Sequence, residues 1–434
     1  MKQLHRTATA MLLLLVMTLG ASAAGFRINE QGAKAMGMAN AFAAQADDPS
    51  ALFYNPAGIA FQPGNRVSVG TTVINVPETK FTGTTPLSAN TVGPTTIISE
   101  RARRDIFFPP NIYATSTMKD APFSFGIGVN SQYPLAKRWD TTSFFRDTIQ
   151  EIAIKPINVQ PTVAWRSDAL KLSVAAGLDY THATVWLQKM AYAPPVPVSA
   201  TELGVVELEG TGDGFGYNAG LAWHPTDKLK VGIAYRSKIH LAVDGGDVDF
   251  LATTATGQGA VGLTPGGAVK TVSSTVSTDI TLPDTWSFAV AYNPVERLTL
   301  EVDVDKVGWS SYDKLAFDFD GALNGFDKTD PKNWQDAWAY RFGAQFAVTP
   351  AVDLRAGYAY DNTPIRDRTL GPELPDADRE NYTAGIGFHN DRGALDLAYM
   401  WVKFKDRTVN NPNIQTGTYE NDAHLVAINV STYF

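Results

Sequence analysis

The chain contains no cysteine in 434 residues, which excludes disulfide bonds, thiol nucleophiles and cysteine-ligated metal sites. Beyond its N-terminal region it also lacks an apolar run of the roughly 20 residues that a membrane-spanning helix needs. A chain of this kind can cross a bilayer only as a closed β-barrel, because a barrel satisfies every backbone polar group between its strands.

Positive charge is also scarce. The formal net charge is -8, and it becomes -10 once Lys2 and Arg6 are removed with the N-terminal signal described next. A chain this acidic is expected to repel nucleic acid. Solvated loops and rims would account for the charge, so it identifies no ligand by itself.

The first residues have the layout of a secretory signal peptide. Lys2 and Arg6 form a basic region, residues 11–19 are apolar, and Ala21, Ser22 and Ala23 offer a small-residue cleavage site. The apolar run is about half the length of a spanning helix. We therefore predict that residues 1–23 are a cleaved signal and that the protein is exported.

The rest of the chain is dominated by apolar and polar residues in alternation, which indicates β-strands with two different faces. In residues 297–305, Leu and Val occupy the even positions and charged or polar residues the odd ones, and the chain ends in a similar strand that closes with Phe434. A soluble β-sandwich would also alternate. Segments of about ten or more residues favour a bilayer-spanning barrel, since strands of soluble domains are typically shorter.

The two faces of these segments carry different residues. Aromatics typical of the girdles at the two lipid-water interfaces lie near the segment ends: Trp165, Trp186, Trp223, Tyr235, Trp286, Tyr292, Tyr399, Trp401 and Tyr433. Small residues suited to a crowded lumen occupy the other face: Gly343, Ala347, Gly357, Ala359, Gly385 and Gly387. Short connectors alternate with long polar ones, as in outer-membrane barrels.

The predicted fold is therefore an all-β, transmembrane antiparallel β-barrel of fourteen strands, spanning residues 64–434. We place its strands at 65–79, 95–118, 121–133, 150–166, 170–192, 203–225, 228–253, 268–293, 297–318, 336–349, 352–361, 379–390, 393–408 and 421–434. Prolines and a Gly/Thr-rich tract at 252–269 interrupt the early and middle patterns.

Residues 24–63 show no strand pattern and are rich in Gly and Ala, with short helical fragments within 32–46. Such a segment could hang into the periplasm or fold back into the lumen. Its apolar residues favour filling the lumen, because a free tail would leave them in water: Phe26, Ile28, Met36, Met38, Phe42, Leu52, Phe53 and Tyr54. We predict a small N-terminal hatch that plugs the barrel.

An ordered set of short motifs resembles the FadL family of outer-membrane transporters for long-chain fatty acids and other hydrophobic compounds. No single motif is specific, but the set runs in order along the whole chain. It consists of Ala24-Gly25-Phe26, Asn55-Pro56-Ala57, Leu282-Pro283-Asp284-Thr285, Trp309-Ser310-Ser311-Tyr312 and Leu374-Pro375-Asp376-Ala377-Asp378-Arg379.

The resemblance implies a plugged fourteen-stranded barrel that passively takes an apolar molecule from an external groove to a lumenal pocket. Release then occurs sideways into the membrane through a gap made by a kinked third strand. By the same resemblance, Asn55, Pro56 and Ala57 inherit a gating or hatch-positioning role, and Phe26 inherits a place in or beside the pocket.

The third predicted strand loses its alternation at residues 130–134. Gly126 and Gly128 alternate with apolar residues, then Asn130 begins a polar stretch that ends at Pro134, which cannot donate to a ladder. This stretch is a candidate for the kink. It could equally be the end of the strand at an external loop, and the glycines could equally serve packing.

Five further apolar residues are candidates for substrate contact: Phe144, Phe145, Leu203, Val205 and Trp334. A carboxylate-headed ligand would also need a cation, and basic residues cluster at 101–104 and 137–138. A patch that faces lipopolysaccharide explains that cluster equally well. The sequence leaves open whether the substrate is a long-chain fatty acid or an aromatic hydrocarbon.

Catalysis receives little support from the sequence. The six histidines show no metal-ligand spacing, and no Ser and His pair stands out, so we predict no catalytic residue, metal or cofactor. Two rival functions remain, an outer-membrane lipid hydrolase and a general porin. The expected partners are a hydrophobic small molecule, outer-membrane lipid and lipopolysaccharide, and the barrel-assembly machinery. We expect a monomer in the outer membrane of a Gram-negative bacterium.

Overall fold

The computed structural model describes residues 25–192, 202–266, 268–324, 326–411 and 414–434. The predicted signal peptide, residues 1–23, lies outside the described residues. Antiparallel strands form a closed barrel, because the first strand pairs with the last from Arg66 opposite Tyr433 to Asn75 opposite His424. The prediction of a fourteen-stranded antiparallel barrel is confirmed.

Six of the fourteen barrel strands in the described chain are interrupted and consist of two segments each. In chain order the barrel strands are Asn65–Val76, Asp105–Phe107 with Pro110–Thr117, Phe123–Asn130 with Leu135–Arg138, Glu151–Ser167, Leu172–Tyr192, Glu202–Thr226, Leu229–Arg236 with Ile239–Ala252, Lys270–Leu282 with Thr285–Val295, Leu298–Val307 with Lys314–Phe319, Lys328–Pro331 with Ala337–Thr349, Val352–Asp361, Arg379–Asn390, Gly393–Phe404 and Asp422–Tyr433.

The predicted boundaries at 352–361 and 379–390 match the observed strands, and the largest differences occur in the second and thirteenth predicted strands. There, parts of the predicted strands 95–118 and 393–408 leave the barrel and build a separate four-stranded sheet, which we call the outer sheet. It consists of Lys80–Thr84, Ile98–Arg101, Arg407–Asn411 and Gln415–Glu420. Alternation alone cannot separate a strand that spans lipid from one that continues above it, because both have the same period.

The short turns of the described chain lie at one end of the barrel together with the C-terminal residue, and the long connections lie at the other. We call these the short-turn end and the long-loop end. Phe434 N donates to Asn65 O at 2.9 Å at the short-turn end. Large apolar side chains face outward along the wall, among them Trp223, Trp286 and Trp401, each more than a third exposed. This arrangement matches a barrel surrounded by lipid.

Residues 25–63 contain no strand, and their helices are short: Ala33–Met36, Ala51–Tyr54 and a 3₁₀ helix at Pro56–Phe61. Elsewhere the helical elements are Pro86–Thr91 and Ala255–Ala260, with 3₁₀ turns at Trp309–Ser311, Gly321–Leu323 and Asp367–Thr369. Among the described residues, none of these helices has the length and apolar content needed to cross a membrane.

Candidate functional site

The segment of residues 25–63, which we call the N-terminal segment, lies inside the barrel at its short-turn end. Two inward-facing carboxylates of the ninth barrel strand hold it by its backbone. Asp303 accepts hydrogen bonds from Phe42 N at 2.9 Å and Ala43 N at 3.0 Å, and Glu301 accepts one from Ala44 N at 2.7 Å. These side-chain oxygens therefore accept the hydrogen bonds that buried backbone amides would otherwise make to backbone carbonyls.

The triplet Asn55–Ala57 joins the N-terminal segment to the sixth barrel strand. Asn55 is fully buried, and its side-chain amide donates to Ala43 O at 2.7 Å and to Leu221 O at 3.0 Å. Its oxygen accepts from Ala57 N at 3.2 Å and so caps the following 3₁₀ helix. The wall accommodates this contact through Gly220, where an added Cβ would lie 2.4 Å from the Asn55 oxygen.

Partly buried charges within the N-terminal segment influence one another. Lys34 Nζ lies 2.8 Å from Asp47. Although burial opposes ionisation, this lysine lowers the pKa of Asp47 to about 2. Burial raises the pKa of the neighbouring Asp48 to about 6, because Lys34 compensates it less. Burial also raises the pKa of Glu30. The segment is thus held by polar contacts whose strength depends on charge.

Above the N-terminal segment the lumen becomes apolar. A cavity of about 80 Å³, the inner cavity, lies against Phe26. The Phe26 ring packs against Trp309, Tyr312 and Trp334 at centroid distances of 4.9, 6.4 and 6.0 Å. Aliphatic side chains make up much of the remaining lining, among them Leu135, Ile152, Leu187, Leu241, Val243 and Ile280.

A larger cavity of about 700 Å³, the outer cavity, lies toward the long-loop end. It shares Ile152, Leu187, Phe317 and the pair Lys332 and Glu373 with the inner cavity, so the two are adjacent. Apolar side chains dominate its walls, and its charged residues are three lysines and three carboxylates: Lys189, Lys328, Lys332, Asp147, Asp330 and Glu373. The outer cavity is therefore mostly apolar, and its positive and negative residues are equal in number.

A third cavity of about 160 Å³, the wall cavity, lies on the other side of Phe26. Phe26, Leu135 and Leu374 line both this cavity and the inner one. The wall cavity extends to Phe107 on the second barrel strand and Pro134 on the third. Three adjacent cavities thus run from the long loops to the barrel wall.

The wall itself is interrupted where the third cavity ends. The last pair between the second and third barrel strands is Ile112 opposite Val129. No ladder pairing joins residues 105–110 to residues 130–138 in the part of the chain that the structure describes. We call this break the wall gap. Arg138, which lies 2.8 Å from Asp105, bounds it toward the long-loop end.

The third barrel strand is irregular beside the wall gap. Asn130 is opposite Asn158 and Leu135 is opposite Ile154, so four residues face three and one residue is extra. The strand resumes after Pro134 rather than ending there. Beta-bulges of this kind bend a strand and disrupt its ladder.

Polar groups at this irregularity are incompletely paired. The side-chain amides of Asn130 and Gln132 are buried, yet neither their nitrogen nor their oxygen atoms have a hydrogen-bond partner among the described residues. Each such group costs about 1–3 kcal/mol. The N-terminal segment pairs only with the backbone of this stretch: Ile28 N donates to Gln132 O at 2.8 Å, and the side-chain amide of Gln31 donates to Ser131 O at 2.5 Å.

The two predicted kink glycines lie below the irregularity and face the N-terminal segment. A Cβ at Gly126 would lie 2.6 Å from the Leu52 side chain, and one at Gly128 would lie 3.0 Å from Tyr113. These glycines therefore make room for Leu52 and Tyr113, whereas the bend itself occurs at residues 131–134.

The structure brings some of the predicted contact residues to the cavities and not others. Phe26 and Trp334 line the inner cavity, and Leu203 lines the outer one. Val205 lines none of the three cavities, whereas Val206 lines the outer one, because a register shift between residues 202 and 204 changes which face of the strand points inward.

Phe144 and Phe145 also lie away from the three cavity linings. Phe145 is fully buried against Phe81 and Trp139, with ring centroids 4.9 and 4.8 Å away. These aromatics join the loop at 139–150 to the outer sheet. The basic cluster forms ion pairs near the long-loop end, for example Arg101 with Glu78 at 2.9 Å.

Sequence reasoning missed most of the cavity lining, including Leu135, Ile152, Leu241, Lys332 and Glu373. One signal was available. Toward the long-loop end, inward positions change from Gly, Ala and Asp to Ile, Leu and Val, as at residues 239, 241 and 243 of the seventh barrel strand. No group of His, Asp and Glu able to hold a metal ion occurs among the described residues.

Comparisons with known proteins agree with this geometry. The family described as "Outer membrane protein transport protein (OMPP1/FadL/TodX)" matches residues 14–434. A long-chain fatty acid transport protein of Escherichia coli O6:H1 is 25% identical over 425 residues, covering 92% of this chain and 90% of its own.

Two solved structures share the fold. A Pseudomonas aeruginosa FadL homologue aligns with a TM-score of 0.81 at 21% identity, over 95% of this chain and 100% of its own. The Pseudomonas putida toluene transporter TodX aligns with a TM-score of 0.68 at 16% identity, over 96% and 99%. The chain belongs to the OMPP1/FadL/TodX family of outer-membrane transport proteins.

Proposed function

We propose that the protein is a passive channel that takes up hydrophobic small molecules across the outer membrane, captures them in the lumen and releases them sideways through the wall gap. One observation carries this proposal. The outer, inner and wall cavities adjoin one another through shared residues and end at a break in the barrel wall.

Capture follows from burial of apolar surface. Each methylene group moved from water into the apolar outer or inner cavity contributes roughly 0.8 kcal/mol. A water-filled pore would offer no such gain. The aromatic cluster of Phe26, Trp309, Tyr312 and Trp334 gives the inner cavity flat surfaces that suit a chain or a ring.

Release through the wall gap preserves that gain. A hydrophobic molecule that leaves the wall cavity between Phe107 and Pro134 enters lipid, where its apolar surface stays out of water. An exit straight down the barrel would meet the N-terminal segment and its hydrogen bonds to Glu301 and Asp303. We therefore assign the N-terminal segment, residues 25–63, the role of a hatch, with Asn55, Pro56 and Ala57 holding it to the wall.

Long-chain fatty acids and aromatic hydrocarbons are both candidate substrates, as the names of the E. coli and P. putida relatives suggest. A general porin is disfavoured because the N-terminal segment fills the short-turn end of the lumen. A lipid hydrolase has no support in the family, whose members are transport proteins.

The wall gap is tested by regularising the third barrel strand. Deleting Pro134 removes the extra residue, so that three residues face three across to the fourth strand. We expect uptake of a labelled hydrophobic compound by cells that depend on this channel to fall at least about tenfold, while binding to purified protein changes less than about threefold.

Pro134→Ala is the matched control, because it keeps the extra residue and restores only a backbone donor. Its uptake should stay close to that of the native chain. Undiminished uptake by the deletion variant, with the strand shown to be regular, would overturn lateral release and leave capture in the lumen standing.

A further inference from the structure

The inner cavity has a mostly apolar lining that contains one ion pair. Lys332 Nζ lies 2.8 Å from Glu373, and their side chains are 12% and 22% exposed. The remaining charged residue of the lining is Asp279, which is exposed. Among the described lining residues, one cation therefore faces two carboxylates. An entering anion finds no uncompensated positive charge in this cavity.

A carboxylate ligand would have to compete with Glu373 for Lys332. Burial opposes the charge of this lysine, but Glu373 and Tyr312 outweigh it and keep the pKa of Lys332 above its ordinary value. Displacing Glu373 would leave a carboxylate without its counter-ion in an apolar environment, which is strongly unfavourable. The ion pair thus disfavours the binding of anions in the inner cavity.

Two residues of the same lining carry a side-chain polar atom that has no partner among the described residues. Trp334 is 6% exposed, and its indole Nε1 is buried and unpaired within that part of the chain. This group is a donor only. Glu373 Oε2 is also buried without a partner and can only accept while ionised. A ligand that pairs with these atoms removes the cost of leaving them unsatisfied.

We infer that the inner cavity selects uncharged apolar molecules that carry a hydroxyl group, or another neutral oxygen acceptor, over carboxylates of the same size. A hydroxyl that reaches either atom can accept from Trp334 or donate to Glu373, whereas a carboxylate is repelled by Glu373. This inference rests on the proposed function and names its substrate class. Lys332, Glu373 and Trp334 are the residues that determine the specificity.

The test compares three ligands with the same number of carbons: decanol, decane and decanoate at pH 8, where decanoate is ionised. Full-length mature protein in lipid nanodiscs is loaded with the neutral fluorescent compound N-phenyl-1-naphthylamine, and each ligand is titrated to displace it. We expect decanol to bind at least about tenfold tighter than decanoate. Equal or tighter binding of decanoate would overturn the selectivity and leave hydrophobic capture intact, whereas no displacement by any ligand would overturn capture itself.

Two variants locate the selectivity. Glu373→Gln frees Lys332 from its counter-ion, so decanoate should bind about tenfold tighter while decane changes less than about threefold. Trp334→Phe keeps an aromatic ring but removes the donor, so the advantage of decanol over decane should fall about threefold or more. Asp391→Asn is the matched control, because it removes a carboxylate in an exposed turn that lines none of the three cavities, so all three affinities should equal those of the native chain. A Glu373→Gln protein with unchanged decanoate affinity would contradict the inference.

Discussion

The same barrel strands line the lumen with polar contacts to the N-terminal segment at one end and with apolar cavities at the other. At the short-turn end the wall presents carboxylates, arginines and glycines, and the N-terminal segment is bound to them by directional hydrogen bonds. At the long-loop end the wall presents Ile, Leu and Val, and open cavities remain. Directional polar contacts fix one backbone in one place, whereas an apolar surface accepts many ligands. The division separates a region fixed by directional contacts, which we propose as the closure, from an apolar region with open cavities, which we propose as the binding region.

Removing the closure should have the largest effect. Deleting residues 25–60 takes away the backbone that Glu301 and Asp303 bind, so water and ions should fill the lower lumen. We expect a steady ion conductance in planar bilayers where the native chain shows little, together with loss of selective uptake. An unchanged conductance would contradict a lumen plug.

Weakening the closure without removing it should have an intermediate effect. Glu301→Ala combined with Asp303→Ala leaves the backbone amides of residues 42–45 without acceptors. We expect about 3 kcal/mol or more of lost stability for the N-terminal segment, since each buried amide left without an acceptor costs about 1–3 kcal/mol. Intermittent conductance bursts should accompany this loss.

Asp318→Ala provides the control for that pair, because Asp318 lies on the same barrel strand but is exposed in its long-loop segment. Its conductance should equal that of the native chain. Bursts of equal frequency in this control would show that the wall, and not the anchoring of the N-terminal segment, had been disturbed.

The smallest expected effect concerns pH. Burial raises the pKa of Asp48 to about 6 in the folded protein, against an ordinary value of 3.8. The folded state then binds this proton more tightly, so the contribution of Asp48 to stability falls as the pH rises from about 4 to about 6. Asp48→Asn should raise the thermal midpoint at pH 7.5 by the equivalent of about 1–2 kcal/mol, after allowance for partial exposure, and not at pH 4.

The matched control is Asp391→Asn in the exposed turn between the twelfth and thirteenth strands, which should shift the midpoint at neither pH. If Asp48→Asn shifted it equally at pH 4 and pH 7.5, the effect would come from packing and not from the carboxyl charge.

Much of the fold was predictable from the sequence because a strand with two different environments must alternate. Strands such as Val352–Asp361 and Arg379–Asn390 lie in lipid on one face and against the N-terminal segment on the other, so their boundaries matched. The outer sheet was missed because residues 407–411 alternate in the same way without touching lipid.

The candidate site was less predictable, for a geometric reason. Phe26 and Trp334 reached the inner cavity in the structure, but the ion pair of Lys332 with Glu373 joins loops 41 residues apart in sequence. A register shift that no local pattern reveals makes Val206, and not Val205, the residue that lines the outer cavity. Positions set by long-range pairing cannot be derived from spacing along the chain.

The outer sheet has a consequence for assembly. It pairs Lys80–Thr84 with Gln415–Glu420, and the barrel seam below it pairs the first strand with the last. Neither set of partners can meet until the final 20 residues of the chain, residues 415–434, begin to arrive. The outer sheet and the barrel seam should consequently form in a single late step. A chain shortened at its C-terminus would leave its first strand and the Lys80–Thr84 strand of the outer sheet as open edges, which are prone to aggregation.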